Sequence, residues 1–272
     1  MIIVAGAKNF KEAEWLFANG AEEVYCGLLD IPNHRRDSLS IKSDREFFKI
    51  LDLAAKKKRK TLLLVNESCS PDKYPALAER TAKLVARGVS GLVVKDLALI
   101  ELLQSCGVKS SYILSSLALV FNSRALDLFS RYNIKRVIFP YHLAPAEAGR
   151  IIANKYGIET EMFYYPSHFC QNVDPLCKFC DWSRDYKPCK IRLDSDSGGF
   201  VMPSPDSDGL ADIMYDGHRA GVNYLKIPRT LDFSGLKNFL GDARRLLGLL
   251  DEGAAREKFR KAFKNAYSSR RV

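Results

Sequence analysis

The feature that most restricts the fold of this chain is an alternation repeated along most of its length. Short apolar runs rich in β-branched residues are separated by longer segments whose apolar residues recur three and four apart. Continuous apolar runs suit strands buried on both faces, and the longer period suits helices that cover them, so the pattern specifies repeated βα units on a parallel sheet. The strand signals fall at 2–6, 23–27, 61–66, 91–95, 112–115, 135–139, 159–165 and 223–227. Amphipathic helical segments fall between them, among them 10–19, 44–57, 74–87, 122–132 and 145–156. Eight strands with intervening helices predict an α/β fold, a TIM-like (β/α)8 barrel, regular or distorted, although an open doubly wound sheet has a similar linear pattern. The length of 272 residues fits one such barrel, read here as a single domain over 1–250.

Two parts break the rhythm. Residues 166–205 hold four cysteines, several prolines and Gly198-Gly199 without helical period, which reads as a Cys-rich loop inserted after strand 7. Residues 251–272 read as a basic C-terminal helix or tail. No stretch approaches the length of a membrane span and the run Met1 to Ala5 is too short for a signal peptide, so a reducing cytoplasm is the expected location. The net charge of +10 favours an anionic small molecule or RNA as substrate, or serves as solubilising surface charge.

Seven cysteines in a cytoplasmic chain point to metal rather than disulfides. Cys170, Cys177, Cys180 and Cys189 are separated by six, two and eight residues. The close pair Cys177 and Cys180 lets two sulfurs reach one centre, and the outer two extend the set. Zinc commonly uses two close pairs, whereas one close pair with uneven outer spacing suits a 4Fe-4S cluster; spacing alone leaves both open. Cys69 and Cys106 read as packing residues in or beside helices, and Cys26 as a strand-end thiol either buried or near the site.

In a barrel the chemistry lies in the loops after the strands. The residues there are Cys26, Arg35 and Arg36, Asn66 and Glu67, Asp96, Ser115 and Ser116, Tyr141 and His142, the cysteine segment, and Lys226 and Arg229. Arg35, Arg36 and Arg229 are candidates for a carboxylate or phosphate, because guanidinium forks match those anions, or for salt bridges. Asp96 and His142 are the candidate catalytic residues. Asn66, Asp96, Ser115 and Asn122 either hydrogen-bond a substrate or cap the turns that follow them. Tyr164 and Tyr165 either stack on an aromatic substrate or fill core, and His168 stands beside Cys170.

Taken in order, these segments resemble the collagenase-like peptidase U32 family. Gly20-Ala21-Glu22-Glu23-Val24-Tyr25-Cys26-Gly27 is similar to its glycine, alanine, acidic, valine-tyrosine-x-glycine motif, with Arg35-Arg36 at the position of its early arginine. The likeness continues through Val65-Asn66, Val94-Lys95-Asp96, Ser115-Ser116 with Asn122, the cysteines, and Leu225-Lys226-Ile227 with Arg229. The resemblance implies a barrel and favours a 4Fe-4S cluster over zinc. It also implies a redox enzyme or subunit supporting oxygen-independent hydroxylation of an aromatic ring or an RNA base, as in ubiquinone biosynthesis and RNA modification, with a paralogous protein as a plausible partner. Cys170 and Cys177 match the family's first cysteine pair, and Cys180 and Cys189 complete the set locally. Tyr141-His142-Leu143 departs from the arginine-glutamate-leucine of many members. The alternatives are a hydrolase in the sense of the family name and a non-catalytic RNA-binding protein with a structural metal; for the former, neither a His-Glu-x-x-His pair nor a Gly-x-Ser-x-Gly elbow is present.

Overall fold

A computed structural model of the chain describes residues 1–35, 37–140, 143–164, 192–201, 206–228 and 233–268. The strands are β1 (Ile2–Gly6), β2 (Glu23–Cys26), β3 (Lys60–Val65), β4 (Gly91–Val94), β5 (Ser111–Leu114), β6 (Ile134–Ile138), β7 (Glu159–Phe163), β8 (Arg192–Ser195), β9 (Gly198–Val201) and β10 (Tyr224–Ile227). The helices are α1 (Phe10–Ala18), α2 (Asp44–Lys56), α3 (Tyr74–Ala86), α4 (Leu97–Ser105), α5 (Ser123–Phe129), α6 (Gly149–Ile152), α7 (Ser207–Arg219), α8 (Phe233–Asp251) and α9 (Arg256–Ser268). Strands β1 to β7 and β10 close into one barrel, in the order β1-β10-β7-β6-β5-β4-β3-β2. Every neighbouring pair is parallel. Closure excludes the open sheet, and the eight expected strands are the eight staves.

Both faces of these strands are covered, which is why Leu62 to Val65 and Leu92 to Val94 are buried without alternation. Polar residues start the helices. Asn9, Ser43, Asp96, Asn122 and Asp206 each accept a hydrogen bond from a first-turn amide of α1, α2, α4, α5 and α7, replacing donors that the helix leaves unpaired.

Three expectations need correction. The helix expected over 145–156 shrinks to Gly149–Ile152. Asn154 causes this: its amide donates to the carbonyls of Ile151 and Ile158 and its Oδ1 accepts from the amides of Tyr156 and Ile158, so a side chain takes the bonds a further turn would need. The Cys-rich insertion contains an antiparallel hairpin of β8 and β9, closed by the turn at Asp196 and Ser197. Cys106 is exposed rather than packed, at the C-cap of α4, and Cys69 is half-buried.

Helix α9, the described part of the basic end, docks against α7. Phe259 and Phe263 of α9 are buried, and Arg256, Arg260 and Lys264 pair with Asp216, Asp212 and Asp208 of α7. Both triplets repeat every fourth residue, so cations and carboxylates meet along two antiparallel helix faces. These three cations are therefore engaged within the chain.

Candidate functional site

The barrel interior carries charge where most barrels carry branched aliphatics. Arg136 of β6 donates to both oxygens of Glu23 on β2, at 2.8 and 2.9 Å, and to Glu161 of β7 at 2.9 Å. Lys226 of β10 donates to the other oxygen of Glu161 at 2.9 Å. Strands β2 and β6 are not neighbours in the sheet, so the bond between Glu23 and Arg136 crosses the lumen. Glu23, Arg136, Glu161 and Lys226 are 2%, 3%, 0% and 5% exposed. The two cations balance the two carboxylates, which is what allows ionised groups to stay in the interior. Burial works against the Glu161 charge, yet Lys226 and Arg136 more than offset it and hold the carboxyl below its ordinary value.

Above this tetrad, toward the C-terminal ends of the strands, Tyr25 forms the next layer. Its hydroxyl donates to the carbonyl of Ile227 at 3.2 Å, and the ring passes over Gly6, where a Cβ would lie 2.7 Å from Tyr25 Cζ. The motif around Val24-Tyr25-Cys26-Gly27 thereby acquires a physical reason. Val24 and Cys26 face outward into the core under the helices, Tyr25 faces in, and Gly27 admits the Asn33 side chain, which an added Cβ would strike. Cys26 is fully buried, and that burial, outweighing the neighbouring Arg35, pushes its thiol up to about 12. It is a neutral packing thiol.

The loop after β2 folds across the mouth. The Asn33 amide donates to the carbonyls of Leu28 and Ile31, the His34 amide donates to Asn66 Oδ1 at 3.1 Å, and Asn66 Nδ2 donates to Ser115 Oγ at 3.2 Å. Ser115 Oγ also accepts from the Leu117 amide. Asn66 and Ser115 thus tie the rims of β3 and β5 to the β2 loop. Asp96 caps α4 through the Ala98 amide at 2.9 Å and accepts from the Tyr74 hydroxyl. That hydrogen bond, with burial added, raises the phenol to about 12. Asn122 is exposed and caps α5.

Arg35 follows Asn33 and His34 and reaches back over the mouth. Its Nη1 donates to the carbonyl of Ala7 at a long 3.4 Å, and its guanidinium carbon stands 5.4 Å from the centre of the Tyr25 ring. Lys226 Nζ lies 4.2 Å from the same ring. The residue is partly exposed, but Arg35 Nη2 is sealed from solvent and has no hydrogen-bond partner among the described residues. Loss of water lowers its pKa from the ordinary value.

The structure therefore gathers Arg35, Asn66, Asp96 and Ser115 at one mouth, with Asn122 outside on the rim. Arg36, His142, Tyr165, Cys170, Cys177, Cys180, Cys189 and Arg229 lie outside the described residues. So does His168. Tyr164 is core, packed edge-on against Phe239 and Phe263. The residues missed from sequence are Tyr25 as the floor of the mouth and the network of Glu23, Arg136 and Glu161 beneath it. A signal existed: Glu159 and Glu161 two apart in a strand, and Arg136 and Lys226 within apolar runs.

A family model of peptidase family U32 matches residues 8–177, more than half of the sequence. The chain belongs to peptidase family U32. The match spans Arg35, Asn66, Asp96, Ser115, His142, Cys170 and Cys177, and Cys180 and Cys189 of this U32 chain lie beyond it. Among solved structures, the U32 peptidase Mk0906 is 16% identical with a TM-score of 0.49, over 60% of this chain and 68% of that one. Phospho-2-dehydro-3-deoxyheptonate aldolase of Thermotoga maritima is 11% identical with a TM-score of 0.51, over 92% and 70%. At such identities the likeness concerns the barrel fold alone.

Proposed function

We propose that this U32 chain is an iron–sulfur protein, a redox enzyme or subunit supporting oxygen-independent hydroxylation of an aromatic ring or an RNA base. Cys170, Cys177, Cys180 and Cys189 are the proposed ligands of a 4Fe-4S cluster. The observation that carries the reading is where this donor set joins the fold. The cysteines belong to the segment that begins directly after Tyr164, at the C-terminal rim of β7, and in barrels the loops at that end build the site. Tyr164 itself is anchored from outside by Phe239 and Phe263, so the segment starts from a fixed point. Four thiols are a donor set that suits iron–sulfur clusters.

Bound there, such a cluster supplies one-electron chemistry that amino-acid side chains lack. The chain's own residues bind and orient. Arg35 offers an unsatisfied guanidinium edge to an anionic small-molecule or RNA substrate, with Arg36, Asn122, Tyr165 and Arg229 as further contacts. Asn66 and Ser115 keep the mouth in shape, and Asp96 and His142 are the groups proposed to exchange protons with the substrate. The test is anaerobic purification followed by iron, sulfide and zinc analysis of the wild type and of Cys177→Ser and Cys180→Ser. About four iron and four sulfide per chain, with broad visible absorption that both substitutions abolish, are expected. Zinc without sulfide, or iron retained in both variants, would overturn the reading.

A further inference from the structure

Resting on the reading that the mouth is the substrate site, we propose that Arg35 forms a dedicated subsite for one carboxylate of a small-molecule substrate, not for the phosphate backbone of RNA. Three observations converge. The first is charge pairing. Glu23 and Glu161 pair with Arg136 and Lys226, with Lys60 and Glu159 joining from the edge of the network, while among the described residues no carboxylate stands within ion-pair distance of Arg35. Arg35 thus has no ion-pair partner among the described residues, although the charge of buried Glu12 acts on it, and an anion from outside the chain would supply one. A carboxylate has one charge to desolvate there, whereas a phosphate monoester, closer to two charges at neutral pH, costs more to bury.

The second is donor geometry. Arg35 Nη1 spends one N–H on a long bond to Ala7 and Nη2 spends none, so the edge carrying both terminal nitrogens is short of acceptors. That edge is the fork that receives the two oxygens of a carboxylate. A buried N–H without an acceptor is destabilising, and the fold retains this one beside a ring and a carbonyl that position it without neutralising it. The third is access. Nη2 is closed off from solvent, so its ligand has to enter the barrel. Backbone phosphates of a polymer are met by cations displayed on the surface.

The experiment is calorimetric titration of the purified chain with benzoate, acetate, benzamide, inorganic phosphate and a short single-stranded RNA, repeated on Arg35→Gln and Arg35→Lys. Benzoate or acetate should bind, the neutral benzamide should not, and phosphate should bind less tightly than the carboxylate. Arg35→Gln should weaken the carboxylate by about tenfold to a hundredfold, the range of one charge-assisted contact. Arg35→Lys, which keeps charge and loses the fork, should recover only part. Unchanged melting temperatures for both variants would show that the loss is local. The subsite is refuted if benzamide matches benzoate, if neither carboxylate binds, if Arg35→Gln binds as the wild type does, or if RNA or phosphate displaces the carboxylate. Iron and sulfide measured on the same preparations separate the two ideas: a chain with cluster and no carboxylate binding refutes the subsite alone, and carboxylate binding to a chain that holds zinc or no metal refutes the cluster alone.

Discussion

Replacing Glu161 by Gln tests whether the lumen network holds the barrel together. Each oxygen of Glu161 receives one cation at 2.9 Å and the residue has no exposed surface. The amide keeps the shape and loses the charge. Its oxygen can still accept from Arg136, but its NH2 then faces Lys226, which is left as an uncompensated buried charge. Breaking a buried pair in this way costs about 3–5 kcal/mol. For a domain of this size about 2–4 °C of melting temperature follows each kcal/mol, so Glu161→Gln should melt about 6–20 °C lower. Adding Lys226→Met removes the stranded cation and should restore most of the loss, because apolar replacements of buried pairs are often neutral. The sign with pH is also fixed. The folded carboxyl sits below its ordinary 4.5, so its contribution is present above that value and lost as pH falls through the lower folded one. The gap between wild type and Glu161→Gln should therefore be constant near neutrality and narrow below about pH 4.5. Urea unfolding across pH measures it. A single variant within about 1 kcal/mol of wild type, or a double variant as unstable as the sum of the two singles, would refute the reasoning.

Three further outcomes follow from the described residues. Native alkylation with iodoacetamide followed by peptide mass analysis should modify exposed Cys106 and spare Cys26, whose burial keeps it a thiol; rapid labelling of Cys26 would contradict its placement. Phe263→Ala should cost about 3–5 kcal/mol in thermal unfolding, and because Phe263 touches Tyr164, it should raise amide exchange at the end of β7 more than at β3. Asp212→Asn should weaken the docking of α9, since its carboxylate receives both Arg256 and Arg260, and the difference from wild type should shrink at high salt.

Much of the barrel was legible because parallel strands covered on both sides need uninterrupted apolar runs, and each run found its strand within about two residues. The helix ends were legible where a short polar residue stood at the right place, as at Asn9 and Asn122. The failure at 145–156 has the same origin in reverse. Asn154 inside an apolar pattern diverts backbone bonds to its side chain, and periodicity does not register that competition. Among the proposed site residues, the placement of Arg35, Asn66, Asp96 and Ser115 at the mouth was legible, since each follows a strand. Of the two uses left open for them, capping is the one Asp96 and Asn122 show, while Asn66 and Ser115 bond to each other between the rims of β3 and β5, a contact between residues 49 apart in sequence.

The pairing of the lumen charges was illegible for a stronger reason. Glu23 and Arg136 are 113 residues apart and become partners only when the barrel closes, so each alone looks like a polar residue misplaced in a strand. Closure also gives the arrangement its consequence. A carboxylate next to Arg35 would have stabilised the mouth and cancelled its charge, but both lumen carboxylates are held lower down by Arg136 and Lys226. Tyr25 separates the two levels, with Lys226 and Arg35 each facing its ring. The neutral network can therefore serve rigidity while the cation above it stays available, and the same reasoning gives opposite expectations for two buried charges in one barrel. Removing Glu161 strands a cation and destabilises the fold, whereas Arg35 pairs with no carboxylate among the described residues, so removing its charge should weaken binding with far less effect on stability.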